Sequence, residues 1–591
     1  LYIIDAYKLV NELGLKNKIN TCMETCIFKI MNVYDINKAI SVMKDNNKTR
    51  FISKGQNIID INNKVIDNSI KYLKELEVNP AWKNLEYKDN KKLTFNETIN
   101  LLKGDSLPVS GFLDKKNGIF EGGTTKDEKR NIAENIPEWI KENCIECNQC
   151  AFSCPHGVIR PFLLDKKDDK IESIPSLMPK DKEFTIGINY EACTGCGVCV
   201  ETCPGKLGNK ALKMVPNKRH DEDFDYLLKH NCNNQNESKL LNVKNISFKE
   251  PKFEYSGACA GCGETPYITN LTRVFGNNLI ISNATGCSSI YGGSVPSMPY
   301  SIPWANSLFE DNSEYGYGIL TGINLKRNKI KKYMEEYPRN KTFKTWLENM
   351  NDYNICTEVK EKINYKKHPY LLKMKDYIVP KSLWVLGGDG FAYDIGYGGL
   401  DHILSKSENI NILVLDTEVY SNTGGQSSKS SNLGSIASFT SKGKENYKKD
   451  LARIAMCYPH VYVATTNIGY NKEQYLKVLK EAAEHNGPSL VIAYSPCIEH
   501  GIKTGMEHSQ SNAYLASKCG YFITFRYNPD INKLTLDTAN PDFTKYEDYL
   551  MTENRFANLK RVNKDHAKEI LEKQKQWAIN RYNYYKKISE E

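Results

Sequence analysis

Leu383-Trp384-Val385-Leu386-Gly387-Gly388-Asp389-Gly390-Phe391 is the stretch on which the fold turns. Residues 383–387 run apolar without a break, as a strand buried on both faces does. Gly388-Asp389-Gly390 then stops the run, and 391–402 has helical character. Outward from it, short apolar runs recur at 279–282, 411–416, 461–465 and 490–494. Residues 472–485 read as a helix, with Tyr475, Leu476, Leu479, Ala482 and Ala483 on one face and Gly487 as its stop. Short strands alternating with helices imply an α/β fold, a doubly wound parallel sheet.

Alone, Gly-Asp-Gly is a common turn. Here it sits at the carboxyl end of a buried strand, and the next strand ends in Asp416-Thr417-Glu418-Val419-Tyr420-Ser421-Asn422-Thr423-Gly424-Gly425. A Gly-Asp-Gly followed by about thirty residues and an Asn-containing loop is how thiamine diphosphate enzymes hold Mg²⁺ and the diphosphate. A hard cation takes oxygen ligands in octahedral geometry, shared between a carboxylate, a carbonyl and phosphate oxygens. The helix N-terminus and the glycines supply N–H donors to the phosphates.

The chain has 18 cysteines, and most of them cluster. Cys144-x2-Cys147-x2-Cys150-x3-Cys154-Pro155 is one tetrad, and Cys193-x2-Cys196-x2-Cys199-x3-Cys203-Pro204 is the other. Three thiolates at this spacing take three corners of an iron–sulfur cube, while the fourth, held by the turn at the following Pro, ligates the other cluster. One 4Fe–4S cluster is therefore expected on Cys144, Cys147, Cys150 and Cys203, and a second on Cys193, Cys196, Cys199 and Cys154. Gly195 and Gly197 let the backbone approach the cluster. Structural zinc prefers separated CxxC pairs, and two complete copies ending in Cys-Pro argue against it. Cys259 and Cys262 form a further CxxC in a glycine-rich loop, Cys287 follows the strand 279–282, and Cys497 follows the strand 490–494. In a parallel sheet these points share one carboxyl edge with Asp389 and Thr417, where ligands bind. A third cluster on Cys259, Cys262, Cys287 and Cys497 is expected beside the diphosphate. Cys457 and Cys519 rival Cys497 less well, since neither follows a strand end as neatly. The six cysteines outside the three sets, Cys457 and Cys519 among them, read as small buried hydrophobes.

Composition bounds the rest. The 591 residues are 26% charged and 40% hydrophobic, an ordinary globular mixture. No apolar run reaches the ~18–20 residues of a membrane span. The net charge of +9, from 80 basic and 71 acidic residues, is a mild surface excess rather than a nucleic-acid groove. Metal-ligand spacing of the thiols in a long chain points to a reducing compartment, not to a secreted disulfide scaffold. The expected domains are 1–70, the tail of an α/β domain; 71–135, a connection; 136–216, a bacterial-type ferredoxin-like domain with two 4Fe–4S clusters; 217–250, a linker; 251–535, a thiamine diphosphate-binding domain; and 536–591, a helical extension. The opening Leu1-Tyr2-Ile3-Ile4-Asp5, without Met, reads as a cut inside a domain.

With these motifs in hand, the sequence resembles the single-chain pyruvate:ferredoxin (flavodoxin) oxidoreductase family along essentially its whole length. The resemblance rests on 257–265, 283–288, Trp304-Ala305-Asn306-Ser307-Leu308-Phe309-Glu310-Asp311-Asn312, 387–401, 416–426, Tyr494-Ser495-Pro496-Cys497 and 20–28. It implies that Asp389, Thr417 and the carbonyl of Val419 hold Mg²⁺. It implies that Glu264, Cys287, Gly388, Asp389, Gly390, Phe391, Thr417, Glu418, Val419, Tyr420, Ser421 and Asn422 line the cofactor, with Asn422 near the reacting carbon and assisting catalysis. Asn62 matches a CoA-contacting asparagine. Phe391 stands where the family often has Trp. The family's pyrimidine-binding domain has no counterpart here, so the chain reads as a C-terminal half. The implied reaction is oxidative decarboxylation of pyruvate to acetyl-CoA and CO₂, with single electrons passing through three clusters to ferredoxin or flavodoxin. A homodimer is implied, in the cytoplasm or an anaerobic mitochondrion-related organelle. Alternatives are a pyruvate:NADP⁺ oxidoreductase, an enzyme for another 2-oxo acid, and a non-catalytic electron carrier; retention of Gly388-Asp389-Gly390 and 417–422 speaks against the last.

Overall fold

The computed structural model describes residues 1–15, 18–84, 92–217, 222–229, 240–293, 297–562 and 564–591. They form two compact units, Leu1–Thr94 and Phe95–Glu591. In the first, β1 (Tyr2–Ile3) pairs antiparallel with β2 (Lys74–Glu75), and four helices follow β1: α1 (Ala6–Glu12), α2 (Asn20–Met31), α3 (Ile36–Phe51) and α4 (Gln56–Tyr72). The opening strand is short because the Asp5 carboxylate accepts the Lys8 N–H at 3.0 Å and caps α1. Leu9, Val10, Cys22, Cys26 and Val65 form its core.

The second unit begins with a helix, Phe95–Asn100, and short turns. A cysteine-rich module follows, built on β3 (Asn135–Trp139), β4 (Ile159–Leu164), β5 (Ile174–Pro175), β6 (Glu183–Ile188) and β7 (Leu212–Pro216). β3 pairs with β7, and β4-β6-β5 make a second antiparallel sheet. Two short helices, α5 (Gln149–Ser153) and α6 (Val198–Thr202), carry one cysteine each and lie against one another. The connection at 217–250 and Cys232 fall partly or wholly outside the described residues.

The main sheet has eight strands: β8 (Leu279–Ala284), β9 (Trp304–Ser307), β10 (Ser382–Gly387), β11 (Asn411–Asp416), β12 (Tyr462–Thr466), β13 (Ser489–Tyr494), β14 (Phe525–Asn528) and β15 (Lys533–Leu536). Their order is β15-β14-β12-β13-β11-β10-β8-β9, with the six strands from β12 to β9 parallel and the β14–β15 hairpin antiparallel at one edge. Both faces are covered. Trp384, Leu386, Leu413, Leu415, Val491 and Ala493 point into one core, which includes Tyr267 and Leu271 of α7 (Thr265–Phe275). Leu383, Val385, Ile412, Val414, Leu490 and Ile492 point into the other, with Leu400, Ile403 and Tyr585. The period of two along each strand is what a doubly wound sheet requires.

Five strands were legible in the sequence and lie within a residue or two of the expected bounds. β9, β14 and β15 were not read. β9 is half polar, and the hairpin at the edge alternates apolar with charged or polar residues, so neither shows the continuous apolar run of a central strand. The helical run after Gly390 is broken into Asp389–Ala392 and Tyr397–Leu404. The C-terminal stretch ends in a long helix, Lys564–Glu590, whose Ala567, Ile570, Leu571 and Ala578 are buried.

Chain order reverses between β8 and β10: β9 lies to one side of β8, and β10, β11 and β13 to the other. The loops leaving the carboxyl ends of such a pair splay apart and open a crevice, so the fold itself locates the site.

Candidate functional site

The crevice is a cavity of about 450 Å³, within the usual size of a small-molecule site. Ten of the expected residues line it: Glu264, Cys287, Gly388, Asp389, Gly390, Thr417, Val419, Tyr420, Ser421 and Asn422. Thr285, Ser288, Phe309, Gln426 and Phe439 also line it and were not anticipated. Phe439 is 92% exposed with φ +69°, an apolar side chain standing open at the pocket.

Asp389 is 3% exposed. Its Oδ2 accepts from the Ser428 hydroxyl at 2.5 Å, whereas its Oδ1 is buried with no hydrogen-bond partner. Burial, and then the neighbouring Asp416, push its carboxyl well above the usual carboxylate range. A carboxylate held in this way calls for a cation. The Thr417 hydroxyl lies 3.0 Å from the Val419 carbonyl, and the Ser421 hydroxyl 3.1 Å from that of Thr417. Octahedral Mg²⁺ with ligands at about 2.0–2.1 Å sets adjacent oxygens roughly 3 Å apart. The donor set, its spacing and the orphaned Asp389 oxygen therefore fit Mg²⁺ beside a diphosphate.

Two expected lining residues are corrected. Phe391 is in the core on the Leu383–Val385 face, because its ring packs against the backbone at Gly387. Glu418 points away from the pocket into a buried ionic network. It accepts from Lys448 at 2.8 Å, Arg555 at 2.9 Å, Tyr521 at 2.5 Å and Asn432 at 2.9 Å. Burial would raise its carboxyl, but Lys448 and Arg555 hold it down at about 2. Its φ is +59°, a left-handed conformation costly for a non-glycine residue. That backbone turn lies between Thr417 and Val419, the two residues whose oxygens converge. The network continues from Lys448 to Asp416 at 2.7 Å and from Arg555 to Glu553 at 2.7 Å. His500 Nε2 lies 2.7 Å from the Thr417 carbonyl. These supporting residues escaped the sequence reading. The signal available was the length of the polar stretch 417–450, which has no helix or strand and exceeds ordinary connections.

Asn62, in the first unit, is also corrected as a contact residue. It is 4% exposed on α4, accepts from Thr21 Oγ1 at 2.9 Å and donates to the Ile58 carbonyl at 2.8 Å, so its amide is engaged within the helices.

The thiols converge in three sets. Cys144, Cys147, Cys150 and Cys203 line one small cavity, and Cys154, Cys193, Cys196 and Cys199 line another. Each tetrad thus lends its fourth thiol to the other. Among the described residues no three His, Cys, Asp or Glu side chains meet closely enough to hold a single ion; the thiols surround a space instead. The loops bend alike. Gly195 and Gly197 have φ +69° and +81°, and Glu146 and Asn148, at the same places in the first tetrad, have φ +53° and +56°. Glu146 keeps this conformation while fully buried, accepting from the Leu177 N–H at 2.6 Å and Lys244 Nζ at 3.0 Å.

In the third set, Cys287 is close enough to Cys262, Cys497 and Cys259 for their charges to raise it further, beyond the large effect of burial and that of Glu264. Glycine makes the approach possible. A side chain at Gly263 would collide with the Pro496 carbonyl, and one at Gly261, where φ is +79°, with Met506. Cys497 is pushed up to about 11 by burial, against a hydrogen bond from the pocket residue Ser421. The sets adjoin one another: the Gly261 N–H reaches Cys196, and Cys150 is near enough to raise Cys199. Of the other cysteines, Cys22, Cys26, Cys356 and Cys519 are buried, but Cys457 is exposed, a correction that follows from its place just beyond the helix Leu451–Ala455.

Residues 143–207 match the 4Fe-4S dicluster domain family, 373–493 match the thiamine pyrophosphate enzyme C-terminal TPP binding domain, and 95–133 match a domain of unknown function. The chain thus carries an iron–sulfur dicluster domain and a thiamine diphosphate-binding domain. It is 41% identical to the pyruvate:ferredoxin oxidoreductase of Moorella thermoacetica, over 100% of this chain and 54% of that protein. It is 38% identical to the pyruvate-flavodoxin oxidoreductase of Enterobacter agglomerans over the same shares, and 36% identical to the mitochondrial pyruvate dehydrogenase (NADP⁺) of Euglena gracilis, over 100% of this chain and 35% of that one. Along its whole length the chain is similar to members of the pyruvate:ferredoxin (flavodoxin) oxidoreductase family. It spans about half the length of the curated ferredoxin and flavodoxin relatives it matches. Among the described residues no helix is long and apolar enough to cross a membrane.

Proposed function

We propose that this chain supplies the diphosphate-binding and electron-transferring part of a pyruvate:ferredoxin or pyruvate:flavodoxin oxidoreductase, which converts pyruvate and CoA to acetyl-CoA and CO₂. One observation carries the reading: Cys287 belongs both to the wall of the diphosphate pocket and to a four-thiol set. Thiamine diphosphate supplies, when bound, the carbanion and electron sink that decarboxylation of a 2-oxo acid needs. Asp389, Thr417 and the Val419 carbonyl would hold its Mg²⁺. Asn422 lines the cavity and would assist at the reacting carbon. Cys259, Cys262, Cys287 and Cys497 would hold the cluster next to the pocket, Cys154, Cys193, Cys196 and Cys199 the middle one, and Cys144, Cys147, Cys150 and Cys203 the outer one. Contacts between the sets support this order, which suits one-electron delivery to an external ferredoxin or flavodoxin. The protein would work as a homodimer, in the cytoplasm or an anaerobic mitochondrion-related organelle.

The test is anaerobic reconstitution of the chain, followed by iron analysis and titration with Mg²⁺ and thiamine diphosphate. About twelve irons, three cubanes of four, and saturable, Mg²⁺-dependent cofactor binding are expected. Absence of cofactor binding in a chain loaded with iron would leave only an electron carrier and overturn the reading.

A further inference from the structure

Arg273, near the end of α7, is 1% exposed. Its Nη1 donates to the Ala151 carbonyl at 3.1 Å and to Asn270 Oδ1 at 3.0 Å. Asn270 in turn donates to the Phe152 carbonyl at 2.9 Å. The Nε and Nη2 atoms of Arg273 are buried with no hydrogen-bond partner. Among the described residues no carboxylate forms an ion pair with it, and the ionic neighbour it feels most is another cation, Arg160, itself paired with Glu254. A guanidinium left like this is costly, and native structures do not keep one without a counter-charge.

The counter-charge is legible in the place it occupies. Ala151 and Phe152 are two of the three residues of α5 between Cys150 and Cys154. Those two thiols belong to different sets, Cys150 to the outer and Cys154 to the middle one. Burial and Arg160 lower the guanidinium to about 9, while Cys154 and Cys150 pull it back up, so it is charged at neutral pH. A 4Fe–4S cluster with four thiolates carries net negative charge and gains one more unit on reduction.

We propose that Arg273 is the shared counter-charge of the two ferredoxin-like clusters and raises their reduction potential. This rests on the reading that the eight thiols hold two clusters. The step it acts on is the gain of one electron by a cluster, with no bond made or broken and no proton required. A fixed positive charge in a poorly screened interior favours the reduced form, and net charge and burial are among the features that set such potentials. Because Cys150 on α5 and Cys154 just beyond its end belong to different sets, one side chain biases both.

The experiment is a dye-mediated potentiometric titration of the reconstituted 591-residue chain, followed by electron paramagnetic resonance, with iron analysis alongside. Arg273→Met should retain its iron yet show at least a tenfold lower reduced-to-oxidised ratio at the parent midpoint, ~59 mV for a one-electron couple. Arg273→Lys, which keeps the charge, should stay within about threefold of the parent. Arg273→Gln keeps a donor for the Ala151 carbonyl and gives the same comparison should the Met variant lose iron. If Arg273→Gln or Arg273→Met, fully loaded, titrates at the parent potential, or if Arg273→Lys shifts as far as Arg273→Met, the charge is not the operative feature and the proposal falls. Fewer than two ferredoxin-like cluster signals in the parent would overturn the underlying reading, and this inference with it.

Discussion

Replacing Glu418 with Ala and, separately, with Gly separates the two things this residue does. Its carboxylate anchors a buried network, and its left-handed backbone brings Thr417 and Val419 onto one side. Truncation leaves Lys448 paired with Asp416 and Arg555 paired with Glu553, so neither cation is stranded. The lost interactions with Lys448 and Arg555 alone represent ~1.5–3 kcal/mol each, roughly 3–6 kcal/mol together, and those from Tyr521 and Asn432 are lost as well. Both variants incur this loss. Ala has an additional ~1–2 kcal/mol penalty for holding φ near +59°, and with no anchor left it relaxes toward the right-handed region. The Thr417 hydroxyl and Val419 carbonyl then lose their 3.0 Å juxtaposition. Glycine keeps the conformation at little cost. Urea unfolding should show both variants destabilised by several kcal/mol. Calorimetric titration with thiamine diphosphate at saturating Mg²⁺ should show Glu418→Ala binding about 5–30-fold more weakly than Glu418→Gly, the factor that 1–2 kcal/mol represents. Equal affinities for the two variants would refute the reasoning, since the backbone conformation would then have no part in forming the metal site.

Three further outcomes are expected. Asp389→Asn keeps size and shape but removes the charge beside the converging oxygens, so cofactor binding should fall at least tenfold, partly restored by high Mg²⁺, with iron content unchanged; parent-like binding would reduce Gly388-Asp389-Gly390 to a turn. Cys497→Ser should remove about four irons and leave the two ferredoxin-like clusters intact, as read by iron analysis and electron paramagnetic resonance; loss of iron from those clusters instead would contradict the separation of the third set. Glu418, held at about 2 in the folded protein against roughly 4.3 when unfolded, takes up its proton first in the unfolded chain. Its stabilisation is complete above about pH 4.3 and is lost as pH falls toward 2, so the fall in urea midpoint over that range should be shallower in Glu418→Gln than in the parent.

The legible parts of this protein are those in which one local pattern suffices. Residues 383–387 had to be a buried strand because nothing polar interrupts them, and x2-x2-x3 cysteine spacing followed by Pro has one economical use. The spacing also predicts that Cys154 and Cys203 cross over, and each of the two thiol-lined cavities contains the other tetrad's fourth thiol. What stayed hidden depends on residues far apart in the chain. Lys448 and Arg555 look like ordinary surface cations until the fold brings both to Glu418, and Arg273 looks like a helix-end charge until α7 meets α5. Glu146 is a further case. Its tetrad lacks the glycine its twin has at Gly195, which suggests a different loop, yet φ is +53° in one and +69° in the other. The Leu177 N–H and Lys244, the latter 98 residues away in the chain, supply the hold that makes glycine unnecessary. The same device operates at Glu418, where buried donors from four distant side chains keep a left-handed glutamate in place. In both loops an acidic side chain, turned away from the site and fixed by buried donors, sets the backbone that forms the site. Sequence patterns report the groups that touch a ligand; these two residues act through the peptide they bend, and only the assembled structure reveals them.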